Sequence, residues 1–287
     1  MSGREQVWTY FEDQWHAGSV PILRSADHGA WLGSMVFDGA RRFEGVTPDL
    51  DRHCERVNRS AEVMGMTPTV SVDQMLALIA EGLANIPAQD AVYIRPMYWP
   101  TLRGDGFITP DSGSTSFSIC LETLPMTSSA DTATLATTSF RRPTLECATV
   151  DAKASCLYPN NARMMREAMA KGFSNALVGD INGNVAETAT SNIFMVRDGE
   201  ILTPVPNGTF LNGITRQRFI DLFRAAGETV REATLGFDDF RNADEVFMSG
   251  NMTKVMPVVA LDEVRYDVGP MTRRARELYW DWALSER

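Results

Sequence analysis

The chain has 287 residues, 44% of them hydrophobic, enough for two modest domains or one large one, each with its own core. A formal charge of −10 argues against nucleic acid or an anionic membrane as partner, so any anionic substrate must be held by local cations. The polar start Met1-Ser-Gly-Arg-Glu-Gln6 and the lack of an apolar run of membrane length make cytoplasmic location the expectation.

In chain order, the first clear element is a helix over residues 50 to 64. Leu50, Cys54, Val57, Ala61 and Met64 recur at helical spacing, Asp49 or Asp51 stands ready to cap the start, and Gly65 marks the stop. Arg52, Arg56 and Arg59 lie off that apolar stripe. Met75, Leu76, Ile79 and Leu83 predict a second helix, and residues 91 to 99 a strand. The small and polar residues from 122 to 132 read as a linker between a domain of residues 1 to 121 and one of residues 133 to 287. A helix over about 159 to 171 has Pro159 in its first turn and Gly172 as its stop. Asn182-Gly183 and Asp198-Gly199 are hairpin turns, and Thr215 is expected to cap a helix with Phe219, Leu222, Phe223 and Ala226 on one face. Antiparallel strands with segregated helices predict an α+β fold.

Cys54, Cys120, Cys147 and Cys156 form no CxxC pair and are expected to be free thiols. His16, His28 and His53 lack ligand spacing, so no metal is expected. The informative run is Asp151-Ala-Lys-Ala-Ser-Cys-Leu-Tyr158. A lysine alone is ordinarily a solvated surface residue, but the small neighbours of Lys153 let a planar group lie close to the backbone, with Tyr158 within reach of the same ring. Glu187 follows in a strand between two tight turns, where a carboxylate usually faces solvent, yet it could also hold a pyridine nitrogen protonated. Gly213-Ile-Thr-Arg216 then opens a helix, whose free amides suit a phosphate. A Schiff-base lysine, a carboxylate and an anion site in this order point to pyridoxal 5'-phosphate.

These residues resemble those of the class IV aminotransferases, the fold-type IV pyridoxal-phosphate enzymes. Among them are branched-chain aminotransferases, D-amino acid transaminases, (R)-selective amine transaminases and aminodeoxychorismate lyases. The likeness runs from His28 to Arg41, through His53-Cys-Glu-Arg56 and Tyr93-Ile-Arg-Pro96, to Lys153, Glu187, Gly213 to Arg216 and Asp244 to Asn251. It implies the two-domain D-amino acid aminotransferase-like architecture, with the cofactor between a small N-terminal and a larger C-terminal domain, and a homodimer sharing its active sites. It also implies that Lys153 bonds the cofactor, Glu187 its ring nitrogen, Tyr158 its phenolic oxygen, and Arg56, Ile214, Thr215 and Asn251 its phosphate. Phe37, Tyr93, Arg95 and Met252 fall to the substrate pocket.

The Tyr93-x-Arg95 pattern resembles the carboxylate-binding one of branched-chain aminotransferases and favours a branched-chain L-amino acid or L-glutamate as donor and a 2-oxo acid as acceptor. Two departures stand against it: Phe37-Asp-Gly39 replaces the usual Phe-Glu-Gly, and Gly250-Asn-Met-Thr-Lys254 replaces a Gly-Thr-Ala turn. The segments around Trp31, Arg41 and Pro96 to Trp99 also resemble (R)-selective amine:pyruvate transaminases, in which case Arg41 or Arg103 would take the acceptor carboxylate. A D-amino acid transaminase and an aminodeoxychorismate lyase stay open as further readings.

Overall fold

A computed structural model describes residues 6–285, and the chain divides into two compact units. Unit 1 holds the chain as far as Met126 together with Asp151–Cys156, and unit 2 holds Thr127–Val150 and Leu157–Ser285.

Unit 1 contains strands β1 (Val7–Phe11), β2 (Gln14–Ala17), β3 (Val36–Phe37), β4 (Ala40–Arg42), β5 (Val92–Pro100) and β6 (Thr115–Thr123). Its helices are α1 (His28–Leu32), α2 (Leu50–Val63) and α3 (Val72–Leu83). Alternation in β5 sets the two faces of the sheet: Val92, Ile94, Pro96 and Tyr98 are buried, while Tyr93, Arg95 and Met97 between them are partly accessible. The strand pairs antiparallel with β6 along its whole length, from Val92 opposite Thr123 to Pro100 opposite Thr115. The order is β2-β1-β6-β5-β3, with β4 also on β5.

The apolar stripe of α2 packs against this sheet, and Cys54, Val57 and Ala61 join Met75 and Ile79 of α3 in one core. Two expectations for α2 change. Asp49 precedes the helix but its side chain makes no capping bond, and Arg56, placed by spacing off the stripe, is buried. A capping box between Ser71 and Gln74 starts α3. Gly82 is required on that helix, because a Cβ there would lie 2.2 Å from the Trp15 ring.

Residues 151 to 156, assigned from sequence to the C-terminal domain, group with unit 1 instead. Ala154 bridges Val36, Ser155 N donates to Met35 O at 2.8 Å, and Phe37 N donates to Lys153 O at 3.2 Å. The open edge of β3 thereby has its backbone groups satisfied.

Unit 2 carries β7 (Ala133–Arg141), α4 (Tyr158–Ala170), β8 (Asn175–Gly179), β9 (Val185–Thr188), β10 (Asn192–Arg197) and β11 (Glu200–Pro204). It continues with α5 (Ile214–Ala225), β12 (Val230–Ala233), α6 (Phe237–Arg241), β13 (Glu245–Gly250), β14 (Lys254–Leu261), β15 (Val264–Arg265) and α7 (Pro270–Ser285). Its sheet runs β12-β11-β10-β13-β14-β7-β8-β9, with β15 on β14. Both expected hairpins form, β8 with β9 and β10 with β11. Asp198 and Gly199 have φ of 52° and 77°, the left-handed pair of a type I′ turn. The sheet is mixed rather than antiparallel throughout: β7 and β8, joined through α4, and β11 and β12, joined through α5, run parallel.

Gly213, not Thr215, occupies the N-cap of α5, and Thr215 is buried within the first turn. Phe219, Ile220 and Phe223 seat the helix, with the Phe219 ring 5.3 Å from Tyr279 and 6.4 Å from Phe194, centroid to centroid. Ala226, expected on this face, is exposed. Phe219→Ala is expected to cost about 3–5 kcal/mol, lowering the urea midpoint with an unchanged slope.

Candidate active site

In unit 1, Lys153 is fixed by its backbone: its N donates to Ser60 Oγ at 3.1 Å and its O accepts from Phe37 N. Its Nζ lies 5.1 Å from the centroid of the Phe37 ring. Next to Phe37, Asp38 is wholly buried. Arg56 donates to it through Nε at 2.6 Å and Nη2 at 2.8 Å, His53 Nδ1 lies 2.7 Å from its Oδ1, and Gly39 N donates to the same oxygen. Burial alone would raise this carboxyl, but Arg56 and His53 outweigh burial and hold it far below the usual carboxylate range. Arg56 is therefore oriented by a carboxylate and is not a solvated helix arginine.

Tyr93 and Arg95 share the accessible face of β5, with the Arg95 guanidinium 5.5 Å from the Tyr93 ring centroid. Arg95 Nη1 is 3.6 Å from Glu122, and Nη2 donates to Cys120 Sγ at 3.3 Å. Gly39 packs against the Tyr93 ring, where a Cβ would lie 2.4 Å from the phenolic oxygen. Arg41 is fully buried and donates to Leu124 O, and burial pushes its guanidinium down to about 10. Arg103 is exposed and lies over Phe107.

In unit 2, Glu187 does not face solvent as an edge-strand carboxylate ordinarily would; it is buried in β9. Arg142 Nε is 3.0 Å from its Oε1, and Asn192 Nδ2 donates to its Oε2 at 3.2 Å. Arg142 also donates to Asn161 Oδ1 and to the carbonyls of Thr188 and Ala189. Asn192 opens β10 opposite Ser249 of β13, and its Oδ1 accepts from Gly213 N at 3.2 Å. Ile214 and Thr215 follow in the first turn of α5, which no side chain caps. Close by in the strand pairing, Ser249 Oγ and Asn251 Nδ2 are buried without a hydrogen-bond partner among the described residues. Asn251 Oδ1 accepts from the buried Lys254. Unit 2 thus offers a held anion at Glu187 and, at the end of β13 and in the turn after it, two buried side-chain donors without a partner among the described residues, an arrangement suited to an anionic ligand. Tyr158 begins α4 and is exposed, as is Met252.

Asp38, His53, Arg142, Asn192 and Ser249 were not singled out by spacing. Among the described residues no group of His, Cys, Asp and Glu side chains could hold a metal ion, and no helix is long and apolar enough to cross a membrane.

A family model, amino-transferase class IV, matches residues 35–261, a span holding Lys153, Glu187 and all the partners just described. The chain belongs to the class IV aminotransferases. A probable branched-chain-amino-acid aminotransferase of Rickettsia typhi (strain ATCC VR-144 / Wilmington) is 31% identical over 82% of this chain and 81% of that protein. An aminotransferase from Brucella abortus, solved bound to the co-factor PLP, is 58% identical with a TM-score of 0.95, over 97% of this chain and 99% of that one. The solved branched-chain amino acid aminotransferase from Escherichia coli is 25% identical with a TM-score of 0.87, over 97% of this chain and 94% of that one. The resemblance carried by Lys153, Glu187 and Gly213 to Arg216 is thereby borne out for the family, the fold class and the enzyme class.

The depressed Asp38 carboxyl gives this class IV aminotransferase a pH signature. A folded value below the unfolded one of about 3.9 contributes stability above that pH, and the contribution is lost as pH falls through and below it. Asp38→Asn should cost about 3–5 kcal/mol at neutral pH by leaving Arg56 buried without its anion. The gap between parent and variant should narrow below about pH 4; urea unfolding at neutral and acid pH measures both.

Proposed function

We propose that this aminotransferase binds pyridoxal 5'-phosphate and moves an amino group from a branched-chain L-amino acid or L-glutamate to a 2-oxo acid in two alternating half reactions. The observation that carries this reading is the buried Glu187 carboxylate, ion-paired with Arg142 at one oxygen, hydrogen-bonded by Asn192 at the other and tied through Asn192 to the start of α5. The residues fit the cofactor, since a protonated ring nitrogen suits that carboxylate and a phosphate suits the unpartnered donors of Ser249 and Asn251. The 58% identity to a protein solved with PLP supports the same assignment.

When bound, the cofactor supplies an electron-withdrawing ring that takes up the charge developing at the donor's Cα. Glu187 keeps the proton on the ring nitrogen. Ile214, Thr215 and Asn251 hold the phosphate, with the Arg56 guanidinium oriented by Asp38 adding positive charge. Tyr158 would donate a hydrogen bond to the ring oxygen. With the cofactor bound, Lys153 Nζ would hold it covalently and, when released, would be the amine that takes up the donor's Cα proton and gives it back. Phe37, Tyr93, Arg95 and Met252 line the substrate's place. The enzyme acts in the cytoplasm as a homodimer that shares its active sites.

A second reading, an (R)-selective amine:pyruvate transaminase, is favoured by the pairing of Arg95 with Glu122, which partly occupies the guanidinium that an amino acid's carboxylate would need. The visible spectrum with pyridoxal phosphate separates the two. Bleaching of the cofactor band by L-leucine and L-glutamate supports the first reading, bleaching by (R)-1-phenylethylamine alone supports the second, and absence of a band sinks both. Lys153→Ala should show no measurable turnover in either case.

A further inference from the structure

We infer that Asn192 is a positioning residue that couples the ring-nitrogen partner Glu187 to the phosphate-binding start of α5, so that the two ends are set by one side-chain amide. This rests on the cofactor reading above. The amide is used on both sides: Nδ2 donates to Glu187 Oε2 at 3.2 Å and to Leu211 O at 3.1 Å, and Oδ1 accepts from Gly213 N at 3.2 Å. An amide plane is rigid, so its donor and acceptor cannot be reoriented independently. A displacement at Gly213 therefore reaches Glu187.

Two local features hold the amide in place. The turn leading into Asn192 is closed on itself, with Thr188 N and Thr188 Oγ1 both donating to Ser191 O, at 2.8 and 2.7 Å. Gly213 stands so close that a Cβ on it would lie 2.2 Å from Asn192 Oδ1. Only glycine allows this approach. Glu187 retains Arg142 when Asn192 is lost, so its charge stays compensated while its orientation is released. That separates positioning from mere neutralisation.

The decisive variant is Gly213→Ala, which stands at the phosphate end and reaches Glu187 only through the Asn192 amide. Its φ of −62° suits alanine, so the added methyl acts by pushing the Asn192 amide aside. With the full chain, two quantities are read: the ratio of affinities for pyridoxal phosphate and for pyridoxal, which reports the phosphate end, and the pH midpoint of the bound cofactor's visible band, which reports the ring end. Gly213→Ala and Asn192→Ala should both lower the affinity ratio roughly tenfold. Both should also raise the pH midpoint, because a ring nitrogen that holds its proton less firmly withdraws less charge from the Lys153 nitrogen. Ser249→Ala should lower the ratio alone, and Glu187→Gln should move the midpoint alone. A Gly213→Ala protein with a lowered ratio and an unmoved midpoint overturns the inference while leaving the cofactor reading intact. So does an Asn192→Ala protein that loses thermal stability with both quantities unmoved. A parent protein that forms no band overturns the cofactor reading and the inference with it.

Discussion

Taking the Glu187 carboxylate out of water costs several kcal/mol unless its oxygens are answered, and the local architecture of unit 2 follows from the way they are answered. Arg142 faces one oxygen and Asn192 the other. Arg142 is itself held by the carbonyls of Thr188 and Ala189 and by Asn161 of α4, so the arginine ties the end of β9 to a helix. Asn192 ties the start of β10 to the start of α5. A single buried charge thus fixes two strand ends and a helix origin. Ser249, paired opposite Asn192, has a buried hydroxyl without a partner among the described residues, and the sheet there is packed through the stacked rings of Phe194 and Phe247.

Unit 1 solves the same problem with a different geometry. Asp38 is buried more deeply than Glu187 and has three side-chain donor atoms from α2 aimed at it. Its partners come from one helix face, so the carboxylate locks α2 to the strand segment carrying Phe37. That segment in turn pairs with Lys153. The lysine backbone is therefore positioned by its own hydrogen bonds and by a buried ion pair one residue away from its strand partner.

Local periodicity made much of the fold legible. The stripe of Leu50, Cys54, Val57 and Ala61 located α2 to within a residue, and Asp198-Gly199 marked a turn whose left-handed backbone only such residues adopt easily. Lys153 and Glu187 stood out in the sequence because their neighbours are unusual. What stayed hidden depends on partners far away in sequence. Nothing near Arg56 signals that it turns inward, since the cause is Asp38, and nothing near Ala154 signals that it pairs with Val36. Asn192 sat in a conspicuous segment, yet its role needs Glu187 and Gly213 to be brought to opposite sides of one amide. Thr215 was misplaced by one rule applied alone: threonine favours the cap, but Asn192 already accepts from Gly213, and the helix begins two residues earlier.

On the proposed reading, a substrate carboxylate would compete with Glu122 for Arg95. A guanidinium facing a carboxylate at 3.6 Å in a partly exposed setting forms a weak pair, worth at most about 1 kcal/mol. A substrate carboxylate arriving with bidentate geometry can displace Glu122 from it, since two parallel bonds to an ionised group are stronger than one long contact. The displaced Glu122 then adds negative charge beside the newcomer, which penalises a dicarboxylate more than a monocarboxylate. An uncharged amine body meets no such penalty and leaves the Arg95–Glu122 pair in place. On that reading the second carboxylate of L-glutamate needs a further cation, whereas a donor bearing one carboxylate or none does not. Arg41 is a weaker candidate for that cation, because it is buried and committed to a backbone carbonyl, whereas Arg103 is exposed.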